Sequence, residues 1–436
     1  MTSNTTIIFK NSLLQDSIKE YGSQVLKDMA SEAHNNLVKL DVPTLFDDEW
    51  RFIDLASLVQ YEFINSSKEL IAPEDIEQIK KRFLPDSIRI VLVNGCFSSE
   101  LSALSGLNKN LQISVNMDHC IHEDGRSKFE DSNIEKYHSD LYPKSIMKPN
   151  FFTTLNQSFF SEELFLNVIG EMDEKIHLLN ISLTNETNGV SYPRIKLVVN
   201  KNCSATVIED YMSFDNEISL TNVVTEIVVK EDAKLNHNIL QSLTKTAFYL
   251  GNSSVTVMKN GTYDGNLVIN GARLSKCDIN IALNDIHATA NLNGLTLIRE
   301  RQISDVRTVI HHNSPDCRSD QIHKSIADGS AHSIFNGKIF VGGDSARTEA
   351  HQQNRSLMLS KKARITTEPK LEINNDDVVC THGATVSQMD ENILFFLKSR
   401  GINETDAIRL CVNAFAHEII GKIPVIEIQN SLLTGV

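Results

Sequence analysis

Residues 204–240, SATVIEDYMSFDNEISLTNVVTEIVVKEDAKLNHNIL, contain three short alternating runs: Ser204–Asp210, Val223–Val229 and Lys234–Leu240. Alternation of apolar or β-branched with polar residues over four to eight positions is the period of a strand, not of a helix. The pattern continues outward over about 166–385. It includes KIHLLNISL (175–183), RIKLVV (194–199), SVTVM (254–258), CDINIAL (277–283), ATANLNGL (288–295), KIFVGG (338–343) and ARITTEP (363–369). Asn, Asp, Gly and Ser separate the runs, as turn chemistry requires. A small or apolar residue recurs near the head of a run at Ala205, Ala233, Val255, Leu274, Ala288, Ala331 and Ala363. Several of those gaps are near 20 residues or a multiple of it, which predicts a solenoid with a period of about 20.

A β-sandwich competes with this reading. The Asn-Gly pairs at 188–189, 260–261, 270–271, 293–294 and 336–337 suit hairpins and coil corners equally. Low aromatic content, 6%, and recurring Asn and β-branched residues favour a parallel β-helix, whose coils stack rows of like side chains.

The flanks differ in character. Leu14, Ile18, Tyr21, Val25 and Met29 draw one apolar helical stripe, closed by Pro43. Trp50, the only tryptophan, is expected to anchor a small amino-terminal core. A second helix is expected over 73–84, with Pro73 in its first turn, and a strand over Ser87–Asn94 ending at Gly95. Residues 108–149 carry no readable pattern. Near the other end, Asn403 can cap a helix with Asp406 at the capping-box position. Its stripe of Ile408, Cys411, Val412, Phe415 and Ile419 either packs on the β-helix or docks a partner. Three units result: a helical or α+β domain over 1–165, a β-helix core over 166–385 and a helical domain over 386–436.

Composition narrows the function. The chain of 436 residues carries a formal net charge of −14 and no basic patch, which argues against a nucleic-acid or anionic-membrane partner. Seven scattered cysteines without a Cys-x-x-Cys pair, and the lack of a signal peptide or membrane span, predict a reduced, cytoplasmic setting. No Walker phosphate loop is present, so the chain is not expected to bind nucleotide itself. No Gly-x-Ser-x-Gly elbow or His-Glu-x-x-His motif is present either.

The stretch with metal-ligand chemistry is Leu371–Gly401. Val378–His382 is a strand pattern, so Cys380 and His382, two apart, project from one face. Gly383 is expected to break the strand. Ser387 or Asp390 then caps a helix that begins near Ile393 and ends at Gly401. A thiolate and an imidazole suit zinc or iron, but two ligands are half a site, and a buried Cys beside a satisfied His is the alternative. His311, His312, Cys317 and His323 are close in sequence. However, adjacent histidines on a strand face opposite ways, so a closed site there is not expected.

The run DDVVCTHGATVSQMDENILFFLKSRGI (376–402) closely resembles the carboxy-terminal signature of SufD-type proteins in the SufB/SufD family of iron–sulfur cluster assembly subunits. Residues 47–58 (DDEWRFIDLASL), 93–104 (VNGCFSSELSAL) and 311–360 resemble the same family. SufB proteins typically read His-Glu-Ala where this chain has His382, Gly383 and Ala384, and tend to carry a cysteine near the position of Leu397. The resemblance implies a right-handed parallel β-helix in a non-enzymatic scaffold. It implies a SufB partner through the β-helix and a SufC ATPase partner through the carboxy-terminal helices. His382 would lie at the SufB interface and complete a transient iron–sulfur cluster site with a SufB thiolate, with Cys380 as second candidate. Two other readings stay open: a β-helix enzyme acting on a polymer, and a purely structural partner protein.

Overall fold

The computed structural model describes residues 4–15, 19, 21, 23–66, 71–104, 110–116, 119–122, 125–128, 149–183, 188–214 and 218–435. Its centre is a parallel β-solenoid of about seven turns. Each coil supplies one strand to each of two long sheets. Sheet 1 runs from Glu163–Val168 through Arg194–Val199, Ser219–Val229, Phe248–Val257, Leu274–Leu283, Ile303–His312 and His332–Val341 to Arg364–Ile373. Sheet 2 runs from Ser87–Val93 through Lys175–Ser182, Ser204–Ser213, Lys234–Ser242, Thr262–Ile269, Thr289–Ile298, Arg318–Ala327 and Thr348–Met358 to Val378–Gln388. The strand expected at 87–94 thus belongs to the solenoid sheet, pairing in parallel with Lys175–Ser182.

The predicted period of about 20 is wrong. In sheet 2, Ala205 stacks on Leu235, then Tyr263, Ala290, Ser319, Ala350 and Cys380, steps of 27 to 31 residues. The head-of-strand marker mixed residues from both sheets, and so sampled fractions of a coil. A truer marker is the corner before each sheet 2 strand. Asn202, Asp232, Asn260, His287, Asp316 and Arg347 all have φ between 53° and 59°, one per coil. Asn and Asp tolerate that left-handed conformation because their short side chains bond locally, so the sequence favours them there.

Side chains alternate between lumen and exterior. Val207, Leu235, Tyr263 and Leu292 from sheet 2 meet Val223, Val255, Ile279 and Val306 from sheet 1 in one apolar lumen core. The exterior of sheet 1 is covered by the amino-terminal helices. These are α1 (Asn4–Leu13), α2 (Gln24–Leu37), α3 (Ala56–Val59) and, after α4 (Pro73–Lys80), α5 (Phe151–Phe159); α4 itself packs through Ile79 on Val91, Leu179 and Met212, outside the first strands of sheet 2. Phe9, Leu26, Trp50 and Phe152 from this region pack with Leu220, Phe248 and Leu274 of the sheet. Trp50 is the expected anchor, its ring 5.2 Å from that of Phe152. The single amino-terminal stripe does not form one helix, because α1 ends at Leu13 and α2 begins at Gln24. Tyr21, between them, is buried and stacked on Phe160, whereas Val25 is exposed. Ile18 lies outside the described residues.

The exterior of sheet 2 is covered by α7 (Glu404–Ile420) and α8 (Ile426–Gly435), which follow α6 (Glu391–Ser399). Polar ladders also bind the coils together. Asn266 donates to Asn238 and accepts from Asn293, both at 3.0 Å, and Lys422 donates to Asn293 at 2.8 Å. No helix among the described residues is long and apolar enough to cross a membrane.

Burial holds two lumen histidines, His312 and His323, neutral. Burial pushes His323 down to about 3 and His312 down to about 4. Unfolded histidine titrates near 6.5, so the unfolded chain binds more protons between these values. The stability this contributes is full above about pH 6.5 and is lost as pH falls toward the folded values. The urea midpoint should therefore drop from pH 6.5 to 4.5, and the drop should be shallower in His323→Phe; superimposable pH profiles would refute this. Asn266→Ala should lower stability by about 2 kcal/mol, read as a lower urea midpoint, because it strands the amide of Asn293 and the carbonyl of Asn238 in a buried ladder.

Candidate functional site at the open last coil

The last coil differs from all those before it. Arg364–Ile373 and Val378–Gln388 each pair with a preceding strand on one side and, among the described residues, with no strand on the other. Ten and eleven residues of backbone edge are thereby left open at the end of the solenoid. Elsewhere such edges are blunted by bulges, charges or a cover. Here the strand Val378–Gln388 is exposed over nearly its whole length. The amino-terminal region clamps the neighbouring strand from outside, where Arg51 pairs with Glu368, which also accepts from Asn336 at 3.0 Å.

Cys380 and His382 stand on this terminal strand. Their ladder partners, Ala350 and Gln352, are buried, as are Ser319 and Gln321 one coil deeper. Both side chains therefore belong to the lumen face, the shared face that their spacing predicts. Cys380 is half-buried and packs beside Leu371, Val378, Ile339 and Ala350. Burial raises its thiol pKa above the ordinary value, so the thiol is protonated at neutral pH. His382 is exposed at the mouth. The donor set fits a soft, iron-type centre in ligand chemistry, with half the ligands that such a centre needs.

Gly383 does not break the strand. Pairing with Gln353 holds it extended in mid-strand, and the space where a Cβ would sit is empty to 4 Å. The strand runs on to Gln388. Asp390 then caps α6 by accepting from the Asn392 amide, and Gly401, with φ 88°, follows the helix end as expected. Asn403 caps α7 by accepting from the Asp406 amide at 2.9 Å.

The α7 stripe is the helix's packing face. Val412 and Ile419 are buried, and Ile408 and Phe415 lie beside them, against Ile208, Leu240, Val268, Leu295 and Ile322 of sheet 2. Cys411 is half-exposed and outside that cluster. Each buried aliphatic here contributes about 1.5–3 kcal/mol of burial, which is what holds the helix down. The apolar surface left open is on α6, where Ile393, Phe395 and Phe396 are 50%, 75% and 56% exposed. No residue of α6 is buried. A helix that buries none of its residues and leaves three large apolar side chains exposed marks an interaction site, and sequence periodicity alone does not reveal which of two adjacent helices is spent on the core.

The histidines and cysteine that cluster in sequence over 311–323 have separate engagements. His312 faces Ser319 across the lumen at 2.8 Å, His323 contacts Thr296 at 3.1 Å, and Cys317 bonds the Asp285 carbonyl at a corner. His311 is on the opposite strand face, against Phe340. Among the described residues, no group of three or more His, Cys, Asp or Glu is placed to hold a metal.

Comparison with known proteins places this architecture. Residues 182–415 match the family described as SUF system FeS cluster assembly, SufBD core domain. A SufBD-family iron–sulfur cluster assembly protein of Synechocystis is 30% identical over 94% of this chain and 90% of its own length. The iron–sulfur cluster assembly protein SufD of Escherichia coli is 27% identical over 89% of this chain and 87% of its own. SufD of Bacillus subtilis is 25% identical over 68% of this chain and 70% of its own. A β-solenoid core matched over more than half the chain, with relatives aligned along most of its length, makes this protein a member of the SufBD family of iron–sulfur cluster assembly proteins.

Proposed function

We propose that this chain is the SufD-type, non-enzymatic subunit of a cytoplasmic SUF assembly complex. It joins a SufB-type subunit through the open last coil and a SufC-type ATPase through the exposed apolar surface around α6. The carrying observation is the pair of unpaired backbone edges in the last coil, with Cys380 and His382 on their lumen face. An open edge offers main-chain hydrogen bonds to a partner's strands, and that mode of association would bring the partner's ligands against this incomplete donor set. Iron and sulfide are then substrates of the joint site. His382 supplies an imidazole nitrogen and Cys380 a thiol that loses its proton on binding, and the remaining ligands come from the partner. ATP is bound by the ATPase subunit, whose work rearranges the interface. The outer face of each sheet is covered by helices, which weighs against the alternative of a polymer-degrading β-helix enzyme with an external groove.

The test is co-purification with SufB- and SufC-type subunits, followed by anaerobic addition of ferrous iron and sulfide. A stable complex should form, with thiolate-to-iron absorption that falls in His382→Ala. Because His382 is exposed at the end of the solenoid, the isolated variant should still fold, read as an unchanged circular dichroism spectrum. Loss of the complex in His382→Ala would instead assign the residue to packing at the interface. Full cluster absorption in that variant would remove it from the ligand set. Separately, Phe395→Asp with Phe396→Asp should weaken ATPase-subunit binding at least tenfold while leaving the thermal midpoint in place. Unchanged affinity would move the docking surface elsewhere.

A further inference from the structure

One coil inward from the mouth, the lumen is floored by the side chain of Gln352, 1% exposed and directly beneath His382 in the sheet 2 ladder. Its Nε2 donates to Gln321 Oε1 at 2.9 Å, and Gln321 Nε2 donates in turn to Thr308 Oγ1 at 2.8 Å. This chain crosses from sheet 2 to sheet 1 and fixes which way the Gln352 amide points. The remaining atom, Gln352 Oε1, is buried and accepts no hydrogen bond. Room for the amide is made on the far wall by Gly337, where a Cβ would lie 2.3 Å from Gln352 Nε2. Gly337 stacks under Pro369, and neither side chain carries a donor, so on this rung of the last coil His382 is the side chain that can supply one.

We propose that Gln352 is the positioning residue of His382, its Oε1 accepting one imidazole N–H and so holding the other ring nitrogen, unprotonated, toward the mouth. The proposal rests on the reading of His382 as a cluster ligand. Its physics is general: a buried carbonyl left without a donor is destabilising, and a metal-binding histidine characteristically gives its second N–H to such an acceptor. In the neutral ring one nitrogen donates and the other accepts, so fixing the first assigns the second. The Thr308–Gln321–Gln352 chain then extends the control of one ring two coils into the solenoid.

Two measurements separate this proposal from the ligand reading. The first needs no metal: ring nitrogen signals of ¹⁵N-histidine-labelled full-length chain, with His382 assigned by its loss in His382→Ala. Wild-type His382 should show a single tautomer. Gln352→Leu should give tautomer averaging, Gln352→Glu should restore one tautomer, and Gly337→Ala, which displaces the amide from the opposite sheet, should act like Gln352→Leu. His382 signals unmoved by Gln352→Leu, in a chain that retains its circular dichroism and thermal midpoint, would overturn the contact. The second measurement is ferrous iron retention by the assembled complex after sulfide addition. A tenfold or greater loss of affinity is expected in Gln352→Leu, with recovery in Gln352→Glu. Full retention in Gln352→Leu alongside loss in His382→Ala would overturn the positioning role while leaving His382 a ligand. Full retention in both would overturn the ligand reading itself, with the tautomer result still standing as the measure of the contact.

Discussion

Everything in this molecule depends on each coil returning to within one strand spacing of the coil before it. The two sheets are held by parallel backbone ladders, and these tolerate no drift in register, because a shift of one residue would turn every lumen side chain outward. The return is governed at the corners. One left-handed residue per coil, from Asn202 to Arg347, bends the chain into sheet 2. Its N–H commonly reaches the next coil, as when Asn202 donates to the Glu231 carbonyl and Asp232 to that of Lys259. Corners therefore set coil length locally, and the lumen core and the Asn ladder reward the register that results.

That constraint explains what the sequence displays and what it conceals. Alternation exposes the strands from Lys175 to Gln388, and the stacked Asn residues identify a solenoid, because these are properties of a single strand or of like residues meeting like. Coil length is hidden. It varies between 27 and 31 residues, and the apolar markers at Ala233 and Ala331 belong to different sheets. Without it, Gln321, Gln352 and His382 are unrelated letters, and only the true period aligns them on one rung. Gly383 misleads for a similar reason. A glycine reads as a break in an isolated segment, but pairing with Gln353 keeps it extended. The α7 stripe shows the reverse limit, since periodicity finds an apolar face but not what covers it.

The candidate site is formed by termination rather than by a pocket. Cys380 and His382 occupy positions that in earlier coils hold ordinary lumen residues, Ala350 and Gln352. They become chemically available because the next coil is missing. The same event exposes their backbone edge, so an open pairing edge and an accessible donor pair arise from one structural fact. A buried Cys-x-His pair in mid-solenoid would be core; at the last coil it is an accessible pair of donors.

Beyond the first coils, where α4 and Arg82 also hold sheet 2, the two outer faces are secured by opposite ends of the chain, and this has a mechanical consequence. Lys324 of sheet 2 is held by the carbonyl of Phe415 at 2.8 Å, by Glu418 at 2.5 Å and over the Phe415 ring, while Lys422 ends the Asn ladder. A pull on the carboxy-terminal helices is thus delivered to sheet 2 through these grips. Sheet 1 is braced separately by the amino-terminal region, as by Arg51 on Glu368. Force applied at the helices acts as a shear between the two walls of the lumen, and that shear is least resisted at the mouth, where no further coil ties the walls together.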